Sequence, residues 1–223
     1  EMPKNAGDLV YSFRYRNDFP STISKTAPDG QEWIILPAGR ARYKFALVKK
    51  GAIIPQKDRL AVKVPDSTPE IIAAYAQGDE QALLAKVRYN RLIDLFLGLT
   101  TYSLQNHMRT TVKGMGQIEI DELYVGLDRY GRQFVIPVQA KGGNDRHSSI
   151  QTLQDYSCCR QKFPDLICRP VSAQFGEDEL IALFELAVVD DEVKVVDERH
   201  YKLVAAESIA TQDLATYANL AKD

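Results

Sequence analysis

The most constraining feature of the sequence is a pair of apolar strands joined by a short turn. GQIEIDELYVGLD (116–128) alternates in polarity, as a half-buried strand does. RYGRQ supplies a turn, and FVIPVQAK (134–141) is predicted to return as the partner strand. The polar ends of the two strands are therefore expected at one edge of a sheet.

The rest of the chain mixes both periods. Period-two segments predict strands at 33–39, 41–55, 60–69 and 165–175 and a long hairpin at 179–204. Apolar residues three or four apart predict helices at 69–76, 79–99, 100–112, 148–163 and 211–221. We expect an α/β or α+β fold, with a β-rich N-terminal region at 1–70 and a core at 71–223.

Composition is that of a cytoplasmic globular protein. The chain has 223 residues, 45% of them apolar, which is enough to bury one sizeable core. No stretch has the length of a membrane span, and the start lacks the apolar core of a signal peptide, so we expect no membrane attachment. The three cysteines, an odd number without metal-site spacing, are expected to be reduced.

Charge is unevenly distributed along the chain although the formal net charge is only -2. Residues 39–63 contain eight Lys or Arg and one acid, whereas residues 177–199 contain nine acids and two bases. Arg40, Arg42 and Lys44 recur at spacing two, so they are expected on one strand face. Such a face attracts phosphates, although two ordinary solvated hairpins explain the charge pattern equally well.

The polar residues of the central hairpin have a chemical use. Alternation puts Glu119 and Asp121 on one strand face, and Gln139 and Lys141 on one face of the returning strand. A carboxylate such as Asp121 can hold Mg²⁺, and the side-chain carbonyl of Gln139 is a neutral oxygen ligand. Lys141 can then position the attacking water or stabilise charge on a phosphate, which is the chemistry of phosphodiester hydrolysis.

The order of these features resembles the PD-(D/E)XK nuclease superfamily. An Asp on one strand, a turn and then Gln-x-Lys, with a helix before and a helix plus strand after, span about residues 79–175. The pattern is similar to the Gln-x-Lys variant of Mrr-like and some type II restriction endonucleases. The resemblance implies a restriction-endonuclease-like mixed sheet flanked by helices, Mg²⁺-dependent cleavage of double-stranded DNA and a homodimer. It implies Asp121, Gln139 and the main-chain carbonyl of Ala140 as metal ligands, with Lys141 catalytic.

The chain departs from the superfamily pattern at two positions. Ile120 precedes Asp121 where the motif has Pro, and Gln139 replaces the usual Glu. Glu119 or Asp94 is a candidate for the missing carboxylate. A second Glu-x-Lys, Glu192 to Lys194, follows a predicted hairpin tip among the acids of residues 177–199, where DNA would be repelled.

Candidate DNA contacts lie outside the motif. We expect Arg40, Arg42, Lys44, Arg109 and His147 to contact DNA, with a loop or helix-cap role as the alternative for His147. Together with the motif, the resemblance implies a Mg²⁺-dependent, sequence-specific DNA endonuclease of type II restriction type. A DNA-binding module that keeps the fold without catalysis is the alternative, and a protein-interaction domain is a third interpretation.

Overall fold

The structure, a computed structural model, describes residues 6–15, 17–38, 42–49, 53–75, 80–142, 147, 149–190 and 192–220. The helices are α1 (Ala6–Tyr15), α2 (Ser21–Ser24), α3 (Glu70–Tyr75), α4 (Glu80–Tyr89), α5 (Leu92–Leu97), α6 (Ser149–Lys162) and α7 (Thr211–Ala218). The strands are β1 (Gln31–Pro37), β2 (Tyr43–Lys49), β3 (Ala61–Pro65), β4 (Thr100–Val112), β5 (Gly116–Leu127), β6 (Gln133–Lys141), β7 (Ile167–Cys168), β8 (Val171–Phe175), β9 (Ile181–Val189) and β10 (Glu192–Val204).

Most strands of the described chain form one mixed eight-stranded sheet. Its order is β3-β10-β9-β8-β6-β5-β4, and the short β7 pairs with β6. The β6–β8 and β10–β3 pairs are parallel, whereas β4–β5, β5–β6, β8–β9 and β9–β10 are antiparallel. This mixed sheet with flanking helices confirms the predicted α+β class.

The helices cover the two faces of the central strands. Ile136 and Val138 of β6 pack in a core cluster with Leu83 of α4 and Ile93 of α5. Val135 of β6 belongs to a second cluster that includes the buried thiols Cys158 and Cys159 of α6 (a strand places neighbouring side chains on opposite faces). Strand β6 is thus held between α4 on one side and α6 on the other.

The predicted helix at 100–112 is wrong, because this segment is strand β4. Met108 and Val112 recur at a spacing that imitates a helix, but Thr100 to Tyr102 and Thr110 to Val112 are β-branched or aromatic residues, which favour strands. Gly98, with φ 64°, ends α5 immediately before it. The segment is a strand because it pairs with β5 along its own length, with Met108 opposite Ile120 and Val112 opposite Gly116.

The predicted helix at 79–99 is divided into α4 and α5. Arg91 lies between them with φ 51°, a left-handed conformation that interrupts a helix. Residue 79, where we expected the helix to begin, lies outside the described residues.

The N-terminal strands do not form one unit. β1 and β2 make a separate two-stranded antiparallel sheet, on which Phe45 contacts Phe19 and Trp33. β3 instead pairs in parallel with β10, so the chain joins the large sheet before residue 70. The preceding loop is tied to β10, since Gln56 N–H donates to the Glu198 carboxylate at 2.8 Å.

The helices in the described part of the chain are each too short or too polar to pass through a membrane.

We predict that Leu83→Ala lowers the free energy of unfolding by about 2–5 kcal/mol, because it opens a cavity between α4 and the sheet. Ile71→Ala on α3 is the matched control, since Ile71 is 69% exposed and its truncation should change stability by less than about 0.5 kcal/mol. Urea unfolding of the two variants measures this difference. Equal losses would contradict the proposed packing of α4.

Candidate active site

Asp121 lies where the pairing between β5 and β6 stops. The antiparallel register ends at Glu122 opposite Val138. Beyond it, the carboxylate of Asp121 takes the place of a main-chain partner, because its Oδ2 accepts the Ala140 N–H at 3.0 Å. Burial raises the pKa of Asp121 above its usual value, while the Ala140 hydrogen bond and the nearby charge of Lys141 oppose this effect.

Lys141 is the last residue of β6, and its side chain is only 13% exposed. Its Nζ lies 3.5 Å from Oε1 of Glu80, the first residue of α4. The ammonium is also close enough to Asp121 to lower the pKa of that carboxyl. Lys141 is therefore held between a helix acid and the strand acid, at the C-terminal end of β6.

Gln139 lies between these groups and is almost completely buried, at 2% exposed. Its Nε2 donates to Asp155 Oδ2 on α6 at 2.7 Å and lies 3.4 Å from the main-chain oxygen of Glu119. Its Oε1 is buried and makes no hydrogen bond within the described residues. Burial raises the pKa of Asp155 well above its usual range, and the hydrogen bond from Gln139 offsets part of that rise.

The structure thus brings together Asp121, Gln139 and Lys141, and it adds two acids that the sequence analysis missed. Glu80 is far from the hairpin in sequence, and no local pattern connects it with Lys141. One signal could have indicated Asp155, namely its position close to the apolar Leu153 on the helix. In the structure the whole segment Thr152 to Asp155 is buried. An acid on the inward face of a helix needs a polar partner there, and Gln139 is that partner.

The oxygen atoms at this site are of the kind that bind a hard cation, although the site carries little negative charge. Asp121 supplies a carboxylate, and the unpartnered Gln139 Oε1 is a buried neutral oxygen, both ligand types that Mg²⁺ accepts. Ala140, predicted to add its main-chain carbonyl, is buried beside them. Across the described ranges, no three His, Cys, Asp or Glu side chains form a set that could hold a metal ion. Mg²⁺ would depend on this single strand carboxylate and on neutral oxygens.

The two auxiliary acids are placed differently. Glu119 is near enough to raise the pKa of Asp121, but it is 40% exposed, forms an ion pair with Arg109 at 3.1 Å and lies 3.3 Å from His107 Nδ1. The Arg109 hydrogen bond lowers the pKa of Glu119, with His107 adding to the effect.

Asp94 does not join the site. Its Oδ1 accepts the Thr101 N–H at 2.8 Å, at the start of β4. Thr101 pairs with Gly126, and the stretch of β5 from Gly126 back to Asp121 spans roughly 16 Å. Asp94 therefore fixes the junction of α5 and β4.

The predicted DNA-contacting residues differ in their exposure to solvent. Arg42 and Lys44 are exposed before and within β2, and Arg109 is 69% exposed on β4. Arg40 lies outside the described residues. His147 is not at the surface: it is 7% exposed, and its Nε2 contacts Thr152 Oγ1 of α6 at 2.5 Å. Its position corresponds to the helix-neighbour alternative.

Comparison of the sequence with protein-family models and with curated proteins found no match.

The burial of His147 predicts a pH dependence of stability. Burial lowers its pKa to about 4, with the charge of Lys141 contributing, so the folded protein keeps the imidazole neutral while the unfolded chain protonates near pH 6.5. Stability is then lost as pH falls from the unfolded pKa towards the folded one. Relative to His147→Gln, we expect the parent to lose about 2–3 kcal/mol between about pH 7.5 and pH 4.5. Parallel loss in both proteins, measured by urea unfolding, would contradict this assignment.

Proposed function

We propose that the chain is a Mg²⁺-dependent DNA endonuclease, of sequence-specific restriction type, that acts in the cytoplasm as a homodimer. The observation that carries the proposal is the convergence of Asp121, Gln139 and Lys141 where the β5–β6 pairing stops, with the Gln139 Oε1 buried and without a hydrogen-bond partner among the described residues. The Gln-x-Lys resemblance supports it through the same three residues. Dimerisation and sequence specificity rest on that resemblance.

Each residue has a role in this proposal. Asp121 and Gln139 Oε1, with the Ala140 carbonyl, would hold Mg²⁺, which when bound supplies Lewis-acid polarisation of the phosphate and makes water more acidic. Lys141 stabilises negative charge on the phosphate or positions the attacking water. The ion pair with Glu80 keeps the long Lys141 side chain at the strand end rather than extended into solvent.

The surface around the site offers cations for a polyanion. Arg109 lies on β4 and pairs with Glu119, which is two residues from Asp121 along β5. Arg42 and Lys44 add exposed positive charge on the N-terminal hairpin. Contacts of this kind bind the phosphate backbone and position a duplex, whereas base recognition needs side chains in a groove.

One observation favours the alternative of a DNA-binding module without catalysis. The described residues supply a single strand carboxylate at the site, since Glu119 is engaged by Arg109 and His107. Fewer carboxylates mean weaker attraction of a divalent cation. A cleavage assay separates the two functions.

We predict that Lys141→Ala and Asp121→Asn each reduce cleavage of a long mixed-sequence duplex at least about 100-fold, because the first removes the cation that stabilises charge on the phosphate and the second removes the negative charge that would hold Mg²⁺. The assay compares Mg²⁺ with a chelator, and Lys162→Ala, at the exposed end of α6, serves as the matched lysine control. Cleavage by the Asp121→Asn protein at the parent rate would rule out the site. Intact DNA with every protein, together with salt-sensitive binding, would support the non-catalytic module.

We further predict that Arg42→Ala and Lys44→Ala each weaken DNA binding about equally for all sequences and reduce the slope of log affinity against log salt by about 1. Lys194→Ala is the matched control, because Lys194 is exposed among the acids of β10. Fluorescence anisotropy over a salt series measures the slopes. An unchanged slope in both hairpin variants would exclude that hairpin from the DNA interface.

A further inference from the structure

The two ends of the Gln139 side-chain amide face different surroundings. Nε2 points towards the Glu119 main-chain oxygen at 3.4 Å and donates to Asp155 Oδ2 at 2.7 Å. A main-chain carbonyl can only accept hydrogen bonds, so the NH₂ end of the amide belongs on that side. The network therefore determines which end of the amide points towards β5 and α6.

This orientation leaves Oε1 as the free end. The oxygen is buried and has no hydrogen-bond partner in the described part of the chain. A buried carbonyl without a partner is costly, and a bound cation is one way to satisfy it. If the amide turned over, an NH₂ group would occupy that place, and an NH₂ group cannot ligate a cation.

Of the two acceptors, Asp155 holds the amide more strongly. Its 2.7 Å contact is a short hydrogen bond, whereas the 3.4 Å contact to Glu119 is at the outer limit of hydrogen bonding. Asp155 is 2% exposed on α6, a helix that packs against β4, β5, β6 and β9. Its carboxylate is therefore a fixed point of the fold.

We infer that Asp155 is a positioning residue, which holds the Gln139 amide so that its carbonyl oxygen is presented to a divalent cation shared with Asp121. The inference rests on the proposed function, because it assigns Gln139 to the cation. Groups that orient metal ligands in this way commonly change metal affinity about 10–100-fold when they are removed.

The test compares Asp155→Ala, which removes the acceptor, with Asp155→Asn, whose Oδ1 can still accept from Gln139. Cys158→Ala is the matched control, a truncation of another buried α6 side chain that belongs to the apolar cluster. Mn²⁺ affinity of the full chain is measured by calorimetry, beside the Mg²⁺ concentration that gives half-maximal cleavage. Circular dichroism verifies folding of each variant.

We expect Asp155→Ala to weaken Mn²⁺ binding about tenfold or more, whereas Asp155→Asn should stay within about threefold of the parent and Cys158→Ala should equal it. A folded Asp155→Ala protein with parental Mn²⁺ affinity would overturn the inference while the proposed function stands. Equal losses in the Asn and Ala variants would also overturn it, since they would make Asp155 a ligand in its own right. If the parent neither binds Mn²⁺ nor cleaves DNA, the proposed function fails and the inference fails with it.

A second pair of variants tests the contact even if Asp155→Ala does not fold. Gln139→Glu replaces the donor with an acid facing Asp155, so it should lower the melting temperature. Adding Asp155→Asn returns a donor to the pair and should recover most of that loss, a non-additivity that a double-mutant cycle detects. Purely additive effects would show that the two side chains do not interact as inferred.

Discussion

The end of the β5–β6 pairing is the constraint on which the site depends. Where two strands are paired, their main-chain N–H and C=O groups bond to each other and leave no place for a side-chain carboxylate between them. Here the register stops at Glu122 opposite Val138, and the next donor, Ala140 N–H, goes to the Asp121 carboxylate. One hydrogen bond thus satisfies a buried main-chain group and fixes an acid at the place where Gln139 and Lys141 emerge from β6.

Two neighbouring acids on β5 have different environments. Glu122 is completely buried, and its carboxylate is neutralised by Arg88 at 2.7 Å, with Ser103 donating at 2.6 Å. Asp121 receives the Ala140 N–H and no side-chain hydrogen bond among the described residues, and burial raises its pKa against the opposing effect of the Lys141 charge. A buried acid that is paired with an arginine serves to stabilise the fold. The ionised form of a buried acid with weaker partners is stabilised further when a cation binds nearby. This contrast favours Asp121 over Glu122 as the carboxylate of the proposed cation site.

Local sequence predicted the central hairpin because alternation and a turn are short-range signals. The same reasoning mistook β4 for a helix, since Met108 and Val112 repeat at helical spacing and the deciding interaction is its register with β5. The three motif residues could be predicted because they share one hairpin. Glu80 could not, because its partner Lys141 is brought close only when α4 packs on the sheet. The buried position of His147 likewise depends on α6.

The neutral amide of Gln139 suits the buried acid Asp155 that lies opposite it. A glutamate on β6 would place its carboxylate against Asp155, and two buried carboxylates in contact cannot both ionise. An amide removes this conflict, because its NH₂ end donates to Asp155 and its carbonyl end remains an oxygen ligand. In the proposed site, the amide that stands where the resembled motif has a glutamate thus has a structural counterpart in the helix acid behind it. In the proposed site, Asp121 would supply the charge that attracts a cation, and Gln139 would contribute geometry more than charge.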